Sequence, residues 1–237
     1  MQTQTFKNTI LNSLSSEEVA RLRLAPIKFE LGHQIEFPGE RIEHLYFLEE
    51  GMASMTTTFQ DGSQVEVGMF GYESIIGVSA LMGTVRSLNR VYTQIAGHGY
   101  CFTVNAGRAE FERGGSFQKI ALCYVQAQLV QAAQSAGCNI KHAVEQRLAR
   151  WLLICADRAN KNSFAMPHEL LADMLGSCRP TVSVAAAILK DRGLIEYKRG
   201  IINILDVPGL ETASCECYKV IRDHLDNLAE FDSGITA

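Results

Sequence analysis

Five cationic side chains, Arg179, Lys190, Arg192, Lys198 and Arg199, lie between Arg179 and Gly200, opposed there by Asp191 and Glu196 alone. Five minus two leaves a local balance of +3 in a chain of formal charge −4. Such a patch on a slightly acidic protein suits one face docking on a polyanion, and argues against indiscriminate coating of nucleic acid. The other residues capable of chemistry are more scattered. Seven cysteines are present, an odd number without framework spacing. Cys215 and Cys217 form a C-x-C pair in SCECY, but no second pair accompanies them in the sequence. They are therefore expected to be partly buried structural thiols, with no metal site. His33, His44 and His98 stand alone, without a ligation motif. The chain has no G-x-S-x-G elbow, metal pair or phosphate loop, so an enzyme is not expected.

The elements that must position the basic residues lie between Met166 and Leu205. Leu170, Leu171, Met174 and Leu175 recur at helical spacing. Gly176 supplies a sharp turn, and Ser177 is the expected cap of the next helix. This second helix is predicted from about Arg179 to Asp191, with Val182, Ala185, Ala186 and Leu189 inward. Gly193 ends it, and Leu194 to Leu205 reads as two short strands joined through Arg199-Gly200. Two helices crossed about a glycine turn can set one of them in a DNA major groove, with the hairpin as a wing.

At 237 residues the chain can hold two modest domains. Residues 1–25 read as helical, starting near Ser15-Ser16-Glu17-Glu18. From Ile27 to Val104, short runs rich in Phe, Tyr, Val and Thr turn at glycines, which suggests a small antiparallel β-barrel or jelly roll. Asp61-Gly62 marks a hairpin, and Ile75 to Met82 a short helix or turn. Ser116 to Ala136 is predicted as one long helix, broken at Gly137–Asn139. Its residues Leu122, Val125, Leu129, Ala132 and Ala136 form a heptad seam suited to pairing with a second copy, while Ile120, Tyr124 and Ala127 can pack inward. A further helix runs from Ile140 to Ala159, a polar loop covers Asn160 to Ser163, and a helical tail with frayed last residues follows Leu205. The expected class is α+β: a domain over 1–115, a dimerisation helix over 116–138, and a winged helix–turn–helix with helical tail over 139–237. No apolar run is long enough to span a bilayer and the N-terminus lacks a signal-peptide core, so a cytoplasmic protein without membrane attachment is expected.

These parts in this order resemble the Crp/Fnr family of bacterial transcription regulators over nearly the full length. The resemblance is carried by FELGHQIEFPGERIEHLYFLEEGMASM, by HAVEQRLARWLL, and above all by HELLADMLGSCRPTVSVAAAILKDRGLI, with its R-x-T-V-S core after a glycine turn. It implies an effector-sensing, cyclic-nucleotide-binding-like barrel and a homodimer. It also implies a pseudo-palindromic site in double-stranded DNA, with recognition helices roughly 34 Å apart, and contact with RNA polymerase. The competing function is a ligand-binding regulatory module without DNA function, against which the winged segment argues.

Departures from the family pattern shape the details. Cyclic-AMP-binding members carry Gly-Glu-Leu and, later, Arg-Ser. Aligned on GYESIIGVSALMG, the acidic position falls at Val78 beside Gly77, and Leu88-Asn89-Arg90-Val91 stands for Arg-Ser. Valine cannot accept a ribose hydrogen bond, so Gly77, Val78 and Arg90 outline a pocket for some effector other than cyclic AMP. No cysteine precedes Cys101, so the family's N-terminal iron–sulfur site is absent, and haem is not expected from lone histidines. On the DNA face, the match assigns Arg179 to a guanine, whose O6 and N7 its guanidinium can meet together. Pro180 and Val184 replace polar family residues and can touch only thymine methyls, so the catabolite-activator consensus is expected to bind poorly. Thr181, Ser183 and Ser177 are expected near phosphates, and Lys198 and Arg199 at the backbone from the wing tip. The family commonly has a capping threonine where this chain has Pro167, and His168 is expected either to make the phosphate contact that a proline side chain cannot or to be simply exposed.

Overall fold

The computed structural model describes residues 5–228, in two compact units. The first holds residues 5–55, 69–129 and 224–228. It begins with helices α1 (Thr9–Asn12) and α2 (Ser16–Leu22). The signal at Ser15 is a reciprocal capping box: the Glu18 N–H donates to the Ser15 hydroxyl, and the Ser15 N–H donates to the Glu18 carboxylate. The helical reading of residues 1–25 stops early, because Arg23 turns left-handed and strand β1 (Ala25–Phe29) comes next; residues 1–4 lie outside the described residues.

Strands β2 (Gln34–Glu36), β3 (His44–Thr58), β4 (Gln64–Phe70), β5 (Ile75–Ile76) and β6 (Arg90–Thr103) complete a sheet of order β1-β6-β3-β4, with β2 on β6 and β5 on β3. It is a jelly roll that does not close into a full barrel. The pairings β1–β6, β2–β6 and β3–β5 are antiparallel. Phe29, Leu45, Phe47, Leu48, Met52 and Ile75 fill its interior, with Phe47 stacked on Phe102 at 5.1 Å. Gly97 and Gly99 lie within β6, where a Cβ would come within 1.9 and 2.0 Å of the Glu50 and Phe47 carbonyl oxygens. No larger residue fits that approach. Asp61-Gly62 sits in the β3–β4 hairpin, and a 3-10 helix over Val78–Met82 follows β5. Helix α3 (Val104–Phe111) leads to helix α4 (Ser116–Lys141).

Helix α4 does not break at Gly137–Asn139 as the glycine suggests. A single interior glycine costs about 1 kcal/mol relative to alanine, too little to interrupt 26 residues of helix. The break falls at His142-Ala143, where helix α5 (Val144–Ala159) begins. Ile120, Tyr124 and Ala127 are buried, whereas Leu122 and Leu129 are 47% and 67% exposed.

The second unit holds Thr56–Gly68 and Val130–Asp223. After α5 come strand β7 (Ser163–Ala165), helices α6 (His168–Leu175) and α7 (Arg179–Asp191), strands β8 (Ile195–Lys198) and β9 (Ile201–Ile204), and helices α8 (Val207–Ala213) and α9 (Cys217–Asp226). Leu148, Trp151, Leu152, Leu171, Leu175, Val182 and Leu189 form its core. The wing has three strands, β7-β9-β8, rather than two. Ser163, read as loop, pairs with Asn203, and Phe164 with Ile202. The expected fraying of the last residues lies outside the described residues.

Candidate nucleic-acid interface and effector cavity

The recognition face follows from the period of α7. Val182, Ala185, Ala186 and Leu189 are buried, which turns Arg179, Pro180, Thr181 and Val184 outward. Arg179 is the first helical residue, and its guanidinium is 64% exposed. It lies 2.8 Å from the Glu169 carboxylate of α6, a pairing across two helices that no sequence spacing announces. Val184 is 61% and Ile188 37% exposed. Ile188, one turn beyond Val184, extends the apolar strip and was legible from the i, i+4 spacing.

The turn between α6 and α7 is the expected one. Gly176 is left-handed at φ 53°, and a Cβ there would lie 3.3 Å from Val65. Arg147 donates to the Leu175 carbonyl, satisfying an acceptor at the end of α6. The cap of α7, however, is Cys178 rather than Ser177, and no side chain caps the N-terminus. The Ser177 N–H instead reaches back to the Ala172 carbonyl, closing α6. Cys178 Sγ lies 3.0 Å from the Thr181 hydroxyl, which holds the exposed thiol below its ordinary pKa.

His168 and Ser183 lie together rather than separately against solvent. His168 Nδ1 is 2.8 Å from the Ser183 hydroxyl, and the imidazole stacks on Tyr197 at 4.2 Å. This pair joins α6, α7 and the wing. At the wing tip Lys198 and Arg199 are exposed, and Arg199 and Gly200 are both left-handed, φ 53° and 77°. Two successive positive φ values match the tight hairpin turn whose twist suits the flanking strands.

In the first unit, Gly77, Val78 and Arg90 do not line the cavity described below. Gly77 caps the 3-10 helix and Val78 begins it. Arg90 donates to Gln34 Oε1 at 3.0 Å and lies over the Tyr92 ring. A cavity of about 490 Å³ lies elsewhere, lined among others by Glu36, Arg41, Glu43, Tyr46, Arg86 and Ser87. An Arg-Ser dipeptide, Arg86-Ser87, lines this cavity just before the Leu88–Val91 segment. Arg86 donates to the Gly39 carbonyl at 2.7 Å, and the Ser87 hydroxyl pairs with Glu36. Burial pushes the Glu36 carboxyl above its ordinary range, partly offset by Ser87.

A jelly roll with a polar cavity and a winged helix–turn–helix with an exposed arginine at the head of its second helix mark the class of DNA-binding regulators. Two family models match, a cyclic nucleotide-binding domain over residues 26–113 and a Crp-like helix-turn-helix domain over residues 146–213. The chain belongs to the Crp/Fnr family of transcription regulators. It is 24% identical to the global nitrogen regulator of Synechococcus elongatus, over 84% of this chain and 94% of that one. It is 25% identical to that of Synechocystis, over 74% and 82%. Among solved structures it resembles a putative Crp/Fnr regulator of Eubacterium rectale (TM-score 0.68, 16% identity, 86% and 97% covered). FixK2 of Bradyrhizobium japonicum is similar (TM-score 0.66, 16% identity, 81% and 98% covered). No helix among the described residues is long and apolar enough to cross a membrane.

Proposed function

We propose that this regulator acts as a homodimer that reads a pseudo-palindromic operator with α7 and answers to a ligand other than cyclic AMP. The observation that carries the dimer is the division of α4. One face is buried through Tyr124 and Ala127, while Leu122, Leu129, Ala132 and Ala136 remain exposed at heptad spacing, with Val125 half-buried. In this reading residues 116–138 pair two chains, residues 1–115 sense, and residues 139–237 bind DNA. Arg179 supplies guanine readout, Pro180 and Val184 touch thymine methyls, and Thr181, Ser177, Lys198 and Arg199 hold phosphates. The family supports contact with RNA polymerase, action in the cytoplasm and a regulatory rather than catalytic role.

The cavity around Arg86, rather than Gly77, Val78 and Arg90, is the better candidate for the effector site. Three carboxylates, Glu36, Glu40 and Glu43, line it beside Arg41 and Arg86. One guanidinium hydrogen of Arg86 and the Ser87 hydroxyl already have internal partners. A cyclic phosphate would meet like charge and partly occupied donors. Titration calorimetry with cyclic AMP is expected to show no binding. Leu129→Glu tests the dimer: sedimentation should show monomers and footprinting should lose both half-sites together. A Leu129→Glu protein that stays dimeric overturns the pairing through α4.

A further inference from the structure

Cys138, His142, Cys215 and Cys217 converge in the second unit. One ligand atom from each lies within 4.8 Å of all the others. Cys138 Sγ is 3.5 Å from Cys215 Sγ, and Cys217 Sγ is 3.5 Å from His142 Nδ1. The three cysteines are 1–3% exposed. Cys138 and His142 are one turn apart at the end of α4, and Cys215 and Cys217 flank the corner between α8 and α9. We propose that these four side chains form a tetrahedral Cys3His site for one thiophilic divalent cation, zinc, which fastens the end of α4 to the α8–α9 corner.

The distances suit one ion. With zinc–sulfur bonds of about 2.3 Å and zinc–nitrogen bonds of about 2.0–2.1 Å, tetrahedral ligands stand roughly 3.8 Å (S···S) and 3.6 Å (S···N) apart. Three thiolates and an imidazole form a soft, closed donor set, and four protein ligands leave no position for substrate, which makes the site structural. The shell outside the ligands is also in place. His142 turns Nδ1 toward the sulfurs and Nε2 toward the Glu216 carboxylate at 3.3 Å, the arrangement in which a carboxylate orients a metal-bound imidazole. Gln134 donates its amide to Cys217 Sγ at 3.0 Å.

Charge is compatible with the same site. Arg147 and Arg150 are 6% and 5% exposed, and each has an Nε without a hydrogen-bond partner. Both interact electrostatically with Cys138. Buried cations need a counter-charge. Three thiolates, a neutral imidazole and a divalent ion sum to −1, so the loaded site carries a charge compatible with the two arginines. Binding displaces the thiol protons to solvent and changes no oxidation state.

The test uses the full chain, purified under reducing conditions without added chelator. Elemental analysis should find one zinc per chain, and replacement by cobalt(II) should give sulfur-to-cobalt charge transfer with tetrahedral ligand-field bands. The double variant Cys138→Ser/Cys217→Ser should lose the metal, while Cys101→Ser, in the first unit, should keep it. Glu216→Gln should keep the site but weaken zinc roughly tenfold or more in competition with a chromophoric chelator. If the double variant does not fold, His142→Cys decides: it should retain cobalt with a stronger charge-transfer band from a fourth sulfur. Wild-type protein that takes up no stoichiometric zinc or cobalt overturns the proposal. So does a Cys138–Cys215 disulfide under these conditions, or a cobalt spectrum unchanged in His142→Cys.

Discussion

The outward face of α7 and the buried cysteine cluster of the same unit solve opposite problems. Arg179, Pro180 and Val184 are held outward on a backbone fixed by packing, so in the proposed readout they exchange water for DNA without disturbing the fold. Cys138, Cys215 and Cys217 are closed off, and their chemistry is useful only if the surrounding shell does not move. Substitutions should therefore separate cleanly. Changes at the open face should alter binding and leave stability nearly intact, whereas changes at the closed cluster should do the reverse.

The largest effect expected is at the closed site. If the cluster holds a metal with a roughly thousandfold excess of free ion over its dissociation constant, depletion removes about 4 kcal/mol, or on the order of 10 °C in Tm for a chain of this size. Scanning calorimetry of metal-free and reloaded protein measures it, and equal midpoints would erase the contrast. Arg179→Ala comes next, with a cost of about 1–3 kcal/mol confined to DNA containing the specified guanine. A binding titration against single-base operator variants should show discrimination lost at one position while Tm is unchanged. Gly176→Ala crosses between the two classes. Its left-handed backbone should cost about 1–2 kcal/mol, increased by the Val65 contact, and denaturant unfolding reads the loss. Lys198→Ala should weaken every sequence alike and reduce the slope of log K against log salt by about 1.

The same contrast explains what was legible in the sequence. The two helices and their inward residues follow from a periodicity that the chain displays directly, and the capping box at Ser15 from a local four-residue pattern. The cap at Cys178 was not legible, because the backbone selects the position and no side chain marks it. Strand β7 escaped because its three residues have no alternation to reveal them; their pairing with β9 is decided thirty-odd residues away. The cysteine cluster escaped for the same reason on a larger scale. C-x-C announces half of a site, but its complement is a helical i, i+4 pair 77 residues earlier, and α4 had to continue through Gly137 to carry it there. In the first unit the Arg86-Ser87 dipeptide was visible in the text, yet its place in the cavity depends on the bridge between Arg41 and Arg86.

The smallest effect sharpens the boundary between the two classes, since His168 supports the open face from within. Its Nδ1 faces the Ser183 hydroxyl, its ring lies on Tyr197, and its Nε2 is buried without a hydrogen-bond partner. Burial, and then the nearby Arg179, push its pKa below the ordinary value of 6.5. Between the folded and unfolded values the unfolded chain therefore holds more of the proton, and stability rises with pH across that window. The contribution is complete above about pH 6.5 and declines as pH falls toward the folded value. Wild-type protein should thus lose more Tm than His168→Gln on going from about pH 7.5 to about pH 5.5. Groups common to both proteins, His142 included, cancel in that difference. Parallel curves would mean that the imidazole is as easily protonated in the folded protein as in the unfolded chain, and that the bridge from α6 to α7 and the wing does not depend on its neutral form.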